Sequence, residues 1–343
     1  MAEKASAAAT KERSLRLCSL VSEASGEDPI GSAWATDHYL LVELALPWGP
    51  NVLEGKQVPA GFGDLILEAW DQGARWGLIG IAPDDVYSVP GMTRVIDFRL
   101  PAAPFRRFER DEYLFPPEAL VPSLRVLSKA AKPLELNAFR QPPTDTRDLL
   151  VCTHGAVDAC CAKFGYPIFR HLRRLAADAP APVRVWRCTH FGGHRFAATL
   201  LDMPEGRYWG RLTPEYLTHL MYRDVPAADL RGCYRGWAAL PHPLQQIAEG
   251  EVFVRGDWTW TECTVTPSDP PPLNAIEASI SFAYDHPHRG ERGEIAVDVI
   301  PDGTRPTQES SSDLTLIAAP QYRTLVRHFA PVNGLLGGDT ARR

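Results

Sequence analysis

Several features that would assign a protein to a broad class are missing from this sequence. No apolar run approaches the roughly 20 residues that span a bilayer. Residues 1–13 also lack the apolar stretch that a signal peptide requires. Nor is there an excess of basic residues, since the formal net charge is −6 and nucleic-acid binding needs clustered Lys and Arg. The sequence therefore predicts a cytoplasmic protein that binds neither a membrane nor a nucleic acid.

Cysteine is scarce as well, with seven residues in a chain of 343. So few cysteines in so long a chain do not form a disulfide framework, and in a reducing cytosol they are expected to serve as thiols or as metal ligands. Apolar residues make up 45% of the chain, which is enough for buried cores. The length predicts two or three compact units.

The pattern of elements divides the chain into four segments and predicts the α/β class. Residues 1–14 are small and polar and are expected to form a disordered tail. Residues 15–145 alternate apolar strands with helices, which predicts an N-terminal α/β domain. Residues 146–240 repeat this alternation in the β-α-β-β-α order of a thioredoxin-like domain. Residues 241–343 consist of short strands between Gly, Pro and Asp turns, which predicts a β-rich extension without chemistry of its own.

Within the third segment, the predicted strands deliver polar residues at their ends. A buried strand at 149–151 ends at Cys152, and a second strand at 183–187 leads to His190. Pro167 is expected to open the helix between them, because proline is favoured in the first helical turn. In open α/β sheets, ligands gather beyond the carboxyl ends of the strands. A binding site is therefore predicted at these ends. In the last segment, residues 251–255 are predicted to be a strand.

Four donor side chains make this site informative. Eight residues separate Cys152 from Cys161, and a His190-Phe-Gly-Gly-His194 motif follows. Two thiolates with two imidazoles suit zinc or an iron–sulfur cluster. The sequence Cys-Thr-His occurs twice, at residues 152–154 and 188–190, so three ligand sets are open. The first is Cys152 and Cys161 with His190 and His194. The second is a Rieske-like set of Cys152, His154, Cys188 and His190, and the third is a zinc site drawn from either set. The helix between the two loops disfavours the Rieske set, because Rieske ligands come from loops of an all-β domain.

The same residues carry a resemblance to a known family. The stretch VCTHGAVDACC at 151–161, followed by HFGGHRFA at 190–197, resembles the sucrase/ferredoxin-like family, which includes the yeast actin-patch-distribution proteins. The phrases LCSL from residue 17, EDPIGSA from residue 27 and LPWG from residue 46 are also similar to that family. The resemblance covers roughly residues 15 to 240.

This resemblance implies a thioredoxin-like ferredoxin with a 2Fe-2S cluster held by two cysteines and two histidines, outside the Rieske fold. Carried over by position, the cluster ligands would be Cys152, Cys161, His190 and His194. Cys160 occupies the place of a basic residue that is usual in the family. The spacing favours Cys161 over Cys160 as the ligand.

Three further residues are predicted to surround the ligands. His154 is expected to contact them without being one of them. Gly192 and Gly193, between the two histidines, would let backbone N–H groups approach the cluster sulfides. No catalytic residue is predicted, because no nucleophile–base pair stands out.

The predicted function is therefore that of an electron carrier, rather than a stand-alone enzyme, that exchanges electrons with an unidentified redox protein (a reductase or an acceptor). Two alternatives remain open at this stage. One is a zinc-stabilised interaction protein. The other is a thiol oxidoreductase on a thioredoxin-like scaffold, for which the sequence lacks the Cys-x-x-Cys pair.

Overall fold

The chain folds into mixed α/β structure with two sheets. The computed structural model describes residues 17–55, 58–71, 76–129 and 132–332, and the predicted tail at residues 1–14 lies outside them. The α-helices in these ranges are α1 (Cys18–Ser25), α2 (Phe62–Asp71), α3 (Pro117–Leu127), α4 (Ala159–Ala177), α5 (Pro214–Tyr222) and α6 (Pro243–Gly256).

The strands fall into two groups along the chain. The first sheet contains β1 (His38–Glu43), β2 (Trp76–Ile81), β3 (Thr93–Arg99), β4 (Glu109–Phe115), β5 (Arg147–Cys152), β6 (Val183–Cys188), β7 (Leu200–Met203), β8 (Arg207–Trp209) and β9 (Tyr234–Trp237). The second sheet contains β10 (Thr264–Pro267), β11 (Ala278–His286), β12 (Glu291–Thr307) and β13 (Ile317–Val332).

Two units of the same topology build most of the first sheet, whose order is β4-β3-β1-β2-β6-β5-β7-β8-β9. In the first unit, β1 is parallel to β2 and antiparallel to β3, which pairs with β4. In the second, β5 is parallel to β6 and antiparallel to β7, which pairs with β8. The second unit thus has the predicted thioredoxin-like order with one further strand, β8, before α5, and the first unit repeats this arrangement.

The two units meet through the carboxyl ends of their edge strands. Ile81, the last residue of β2, pairs with Cys188, the last residue of β6, in an antiparallel contact. Thr189 extends this contact, since its hydroxyl accepts a hydrogen bond from the Gly80 N–H at 2.9 Å. Because the strands overlap only at these ends, the loops that follow β1, β2, β5 and β6 come together near the middle of the sheet.

The segment predicted to be β-rich, residues 241–343, begins with α6, and its described part then forms the antiparallel sheet of β10 to β13. Its apolar face joins the same core as the first sheet. That core contains Leu41 of β1, Val151 of β5, Trp209 of β8 and Phe282 of β11. A smaller core lies between the first unit and its helices α2 and α3. Among the described helices, none has the length and apolar character that crossing a membrane requires.

Two element predictions were wrong. Helix α4 begins at Ala159 and contains Pro167 in its interior, because the Asp158 side chain caps the helix by accepting the Cys160 N–H at 2.8 Å. Residues 251–255 lie in α6 and not in a strand. Their alternating pattern is overridden by a capping box at His242 and Gln245, which starts the helix upstream.

Candidate metal centre

Three of the four predicted donors come together where β5, β6 and α4 meet. Cys152 ends β5 and pairs in register with Cys188 at the end of β6. Cys161 lies in the first turn of α4, and only a short loop separates this helix from β5. Helix and strand approach each other closely here, since a Cβ atom added at Gly165 would lie 2.0 Å from the Cys152 carbonyl oxygen. This close contact places Cys161 beside Cys152.

Three donor atoms converge at this point. The His190 Nδ1 atom lies 3.8 Å from the Cys152 Sγ atom and 3.7 Å from the Cys161 Sγ atom. All three donor atoms lie within 4.8 Å of one another, and both cysteines are buried while His190 is half-buried. Such a group of soft and borderline donors suits zinc or an iron–sulfur cluster.

His194 lies beside this group and is not one of its three members. Its Nδ1 atom is 3.3 Å from His190 Nε2, and the two ring centroids are 5.0 Å apart. On its other side, His194 Nε2 donates a hydrogen bond to the carbonyl of Glu309. Burial and the neighbouring His190 lower the pKa of His194, which favours the neutral imidazole that a metal needs.

The two cysteines of the group differ in acidity. Burial alone would raise the pKa of Cys152, but hydrogen bonds from Cys161 and His190 outweigh it and hold this pKa well below its usual value. The hydrogen bond to Cys152 and burial raise the pKa of Cys161. Cys152 is thus the thiol that ionises first, and a thiolate is the form that binds metals.

Cys160 and Cys188 lie outside the three-donor group. The side chain of Cys160 points toward Cys18, with 3.5 Å between the two Sγ atoms. Cys188 is fully buried in the core at the end of β6, and its burial raises its pKa.

His154 lies next to the group and uses both ring nitrogens to bind backbone atoms. Its Nδ1 atom accepts a hydrogen bond from the His190 N–H at 3.3 Å, and its Nε2 atom donates to the Gly49 carbonyl at 2.8 Å. The Trp48 ring packs edge-on against the imidazole. His154 therefore holds the backbone at His190 and ties it to the loop that follows β1.

The loop between the two histidines depends on a residue that sequence reasoning missed. Gly192 and Gly193 both have left-handed φ angles, of 86° and 77°. The fully buried Arg235 donates from Nη1 to the Gly192 carbonyl at 3.1 Å. A Cβ atom at Gly193 would lie 2.2 Å from Nη2 of the same guanidinium. No local pattern signals this contact, because Arg235 is a single basic residue in the short strand β9.

Two other contributors come from segments that are distant from the donors in the sequence. Glu309, in the segment between β12 and β13, contacts His194 through its carbonyl. The N-terminal unit supplies Trp48 and Gly49 against His154. The C-terminal extension, predicted to have no chemistry of its own, thus reaches the site through a backbone contact.

Comparison with known proteins identifies the family. A family model described as sucrase/ferredoxin-like matches residues 29–236, which is more than half of the chain. The chain belongs to the sucrase/ferredoxin-like family. All the predicted donors of this sucrase/ferredoxin-like protein fall inside the matched residues, as does Arg235, whereas Cys18 and Glu309 fall outside them.

Comparisons beyond the family model add little. No curated protein matches the chain. Among solved structures, a thioredoxin-like 2Fe-2S ferredoxin from Aquifex aeolicus is similar at 12% identity and a TM-score of 0.21, over 24% of this chain and 81% of the other.

Proposed function

We propose that the chain is an electron-transfer protein that holds a 2Fe-2S cluster through Cys152, Cys161, His190 and His194. The observation that carries this proposal is the convergence of Cys152, Cys161 and His190 at the meeting point of β5, β6 and α4, with His194 in contact with His190. The donor set fits the group, because two thiolates and two imidazoles are known ligands of 2Fe-2S clusters. When bound, such a cluster supplies one-electron exchange.

The remaining residues of the site would then set its environment. The two cysteines are buried in the core and the Trp48 ring packs against His154, while His190 and His194 are only half-buried. Electrons would enter or leave at the histidine side, where a redox partner protein can approach. We place this exchange in the cytoplasm.

Substitution of individual cysteines tests the ligand set. Cys152→Ser and Cys161→Ser are each expected to remove most of the bound iron, since a serine hydroxyl is a harder and much less acidic ligand than a thiol. Cys188→Ser, at a buried thiol outside the group, is the matched control and should keep the iron. Iron content, acid-labile sulfide and the visible spectrum of protein purified without oxygen provide the measurement. Full iron binding in both Cys152→Ser and Cys161→Ser would contradict the proposal.

A zinc-stabilised protein is the second candidate, and the distances between the donor atoms favour it. Distances of 3.7 and 3.8 Å between the Sγ atoms and His190 Nδ1 are close to those between neighbouring ligands of a single tetrahedral ion. The same purified protein separates the two candidates. A red-brown protein with iron and sulfide supports the cluster, whereas a colourless protein with zinc supports the second candidate.

A further inference from the structure

A second pair of thiols lies next to the candidate metal centre and takes no part in it. Cys18 begins α1 and Cys160 lies in the first turn of α4, 142 residues further along the chain. Their Sγ atoms are 3.5 Å apart, and neither residue has measurable exposure. Two thiols at this distance are in direct contact, and a small movement of either side chain would bring the sulfurs to bonding distance.

The groups around the pair are polar, and they already form hydrogen bonds. The Ser19 hydroxyl donates to the Cys160 sulfur at 3.2 Å. Asp158 accepts the N–H and the hydroxyl of Ser311, both at 2.8 Å, as well as the Cys160 N–H. Since both carboxylate oxygens of Asp158 already accept hydrogen bonds, this carboxylate is committed to the helix cap and to Ser311. Cys18, Asp158 and Cys160 also lie close enough together to share a metal ion, which is the competing role for this group.

The pair is covered by the segment that joins β12 to β13. Ser311 lies between β12 and β13, and its hydroxyl is 3.3 Å from the Cys160 sulfur. Ser311 itself is partly exposed, and the segment holds no strand or helix over residues 308–316. Because Cys18 and Cys160 are fully buried, a reactant reaches the sulfurs only when this segment moves.

We propose that Cys18 and Cys160 form a redox-active pair, which a small peroxide oxidises to a disulfide between α1 and α4. One thiolate attacks a peroxide oxygen, breaks the O–O bond and becomes a sulfenic acid, and with hydrogen peroxide this step releases water. The second thiol then attacks that sulfur, forming the S–S bond and releasing a second water. Two thiols and one peroxide thus give one disulfide and two waters, and the two electrons lost by sulfur reduce the peroxide. A thiol reductant reverses the reaction by exchange.

Oxidation of the pair would affect the position of the neighbouring donor residues. Cys160 is adjacent in sequence to Cys161, so the disulfide would fix the first turn of α4 against α1. The covering segment also reaches the other side of the site, where the Glu309 carbonyl contacts His194. The proposal does not depend on a bound cluster, because neither Cys18 nor Cys160 belongs to the proposed ligand set.

Mass spectrometry tests the pair directly. Purified full-length protein is treated with a small excess of hydrogen peroxide, free thiols are alkylated in denaturant, and the protein is digested with trypsin. The expected product links the peptide 17–56, whose only cysteine is Cys18, to the peptide 148–163, and fragment ions locate the bond at Cys160. Dithiothreitol should remove the link. It should be absent in Cys18→Ser and Cys160→Ser and present in Cys188→Ser, the matched buried thiol.

Three results would overturn the proposal. The first is the absence of any linked peptide in protein whose circular dichroism shows it folded. The second is a link through Cys161 or Cys152. The third is zinc in the untreated protein that is lost in both Cys18→Ser and Cys160→Ser, which would make the group a metal site. Absence of iron from the protein would refute the proposed cluster and leave this test unaffected.

Discussion

At the scale of single residues, Arg235 is a buried cation whose hydrogen bonds go to neutral oxygen atoms. Its guanidinium donates to the Gly192 carbonyl, the Ser32 carbonyl and the Ser32 hydroxyl, and no carboxylate of the described residues forms an ion pair with it. Burial lowers its pKa to about 10, so it stays protonated at neutral pH. A buried cation is costly unless negative charge lies nearby. A reduced cluster at the adjacent site would provide that charge.

In a protein that holds the proposed cluster, Arg235→Met is expected to lower the reduction potential by tens of millivolts. Removing the positive charge destabilises the more negative reduced state, and about 1.4 kcal/mol of lost interaction corresponds to about 59 mV for one electron. Arg235→Lys is the matched control, because it keeps the charge and should shift the potential less. The measurement is a potentiometric titration of variants with equal iron content. Equal potentials in the wild type and Arg235→Met would show that the guanidinium does not act on the cluster.

At the scale of elements, the contact between α4 and β5 sets the distance between the two cysteines. Gly165 faces the end of β5, where an added Cβ would lie 2.0 Å from the Cys152 carbonyl oxygen. Because the Cys152 carbonyl is part of the backbone, it cannot move away from an added Cβ as a flexible side chain could. A glycine in a helix interior lowers helix stability by about 1 kcal/mol relative to alanine, so its presence here is explained by the close approach.

Gly165→Ala is therefore expected to destabilise the fold despite the better helix propensity of alanine. Overpacking of this kind costs about 1–3 kcal/mol, and the displaced helix should also weaken metal binding, since Cys161 moves away from Cys152. Gly232→Ala serves as the control, because an added Cβ there meets no atom within 4 Å. Denaturant unfolding and metal content are the two measurements. Unchanged stability and metal content in Gly165→Ala would contradict the close contact.

At the scale of the whole molecule, the two β-α-β-β-β-α units share one sheet but differ in chemistry. Each places loops at the carboxyl ends of its first two strands, and the edge contact between Ile81 and Cys188 brings these ends together. The donors are found in the second unit, while the first supplies Trp48 and Gly49 as cover for His154. One continuous core links both units to the C-terminal sheet. The chain should accordingly behave as one cooperative structure.

Thermal unfolding is expected to show a single transition that moves to higher temperature when the site is loaded with metal. Ligands from β5, α4 and the loop after β6 are held together by the bound group, which stabilises the folded over the unfolded chain. Far-ultraviolet circular dichroism and tryptophan fluorescence should report the same midpoint, because the tryptophans are distributed over both units. Two separate transitions would mean that the units fold independently, and equal midpoints with and without metal would place the site outside the cooperative core.

Much of the site could be predicted from the sequence, because the signals that place these residues lie within short segments of the chain. Cys152 and His190 directly follow apolar runs that form neighbouring parallel strands, and parallel strands bring their carboxyl ends to one edge. Cys161 follows a short loop after Cys152, so the chain has little freedom to carry it elsewhere. The α/β class and the thioredoxin-like order of the second unit follow from the same periodicity.

Only the tertiary structure decided which residues surround these donors. Arg235 contacts Gly192 across 43 residues, Cys18 meets Cys160 across 142, and Cys18 donates its N–H to Ser311 across 293. Such contacts arise where separate elements pack over one core, and no periodicity within either segment encodes the partner. The sequence determined that Cys152, Cys161 and His190 lie close together, because a short loop joins the first two and the third follows a neighbouring parallel strand. Their charge environment and the neighbouring thiol pair depend on how distant segments pack, which is a property of the folded chain alone.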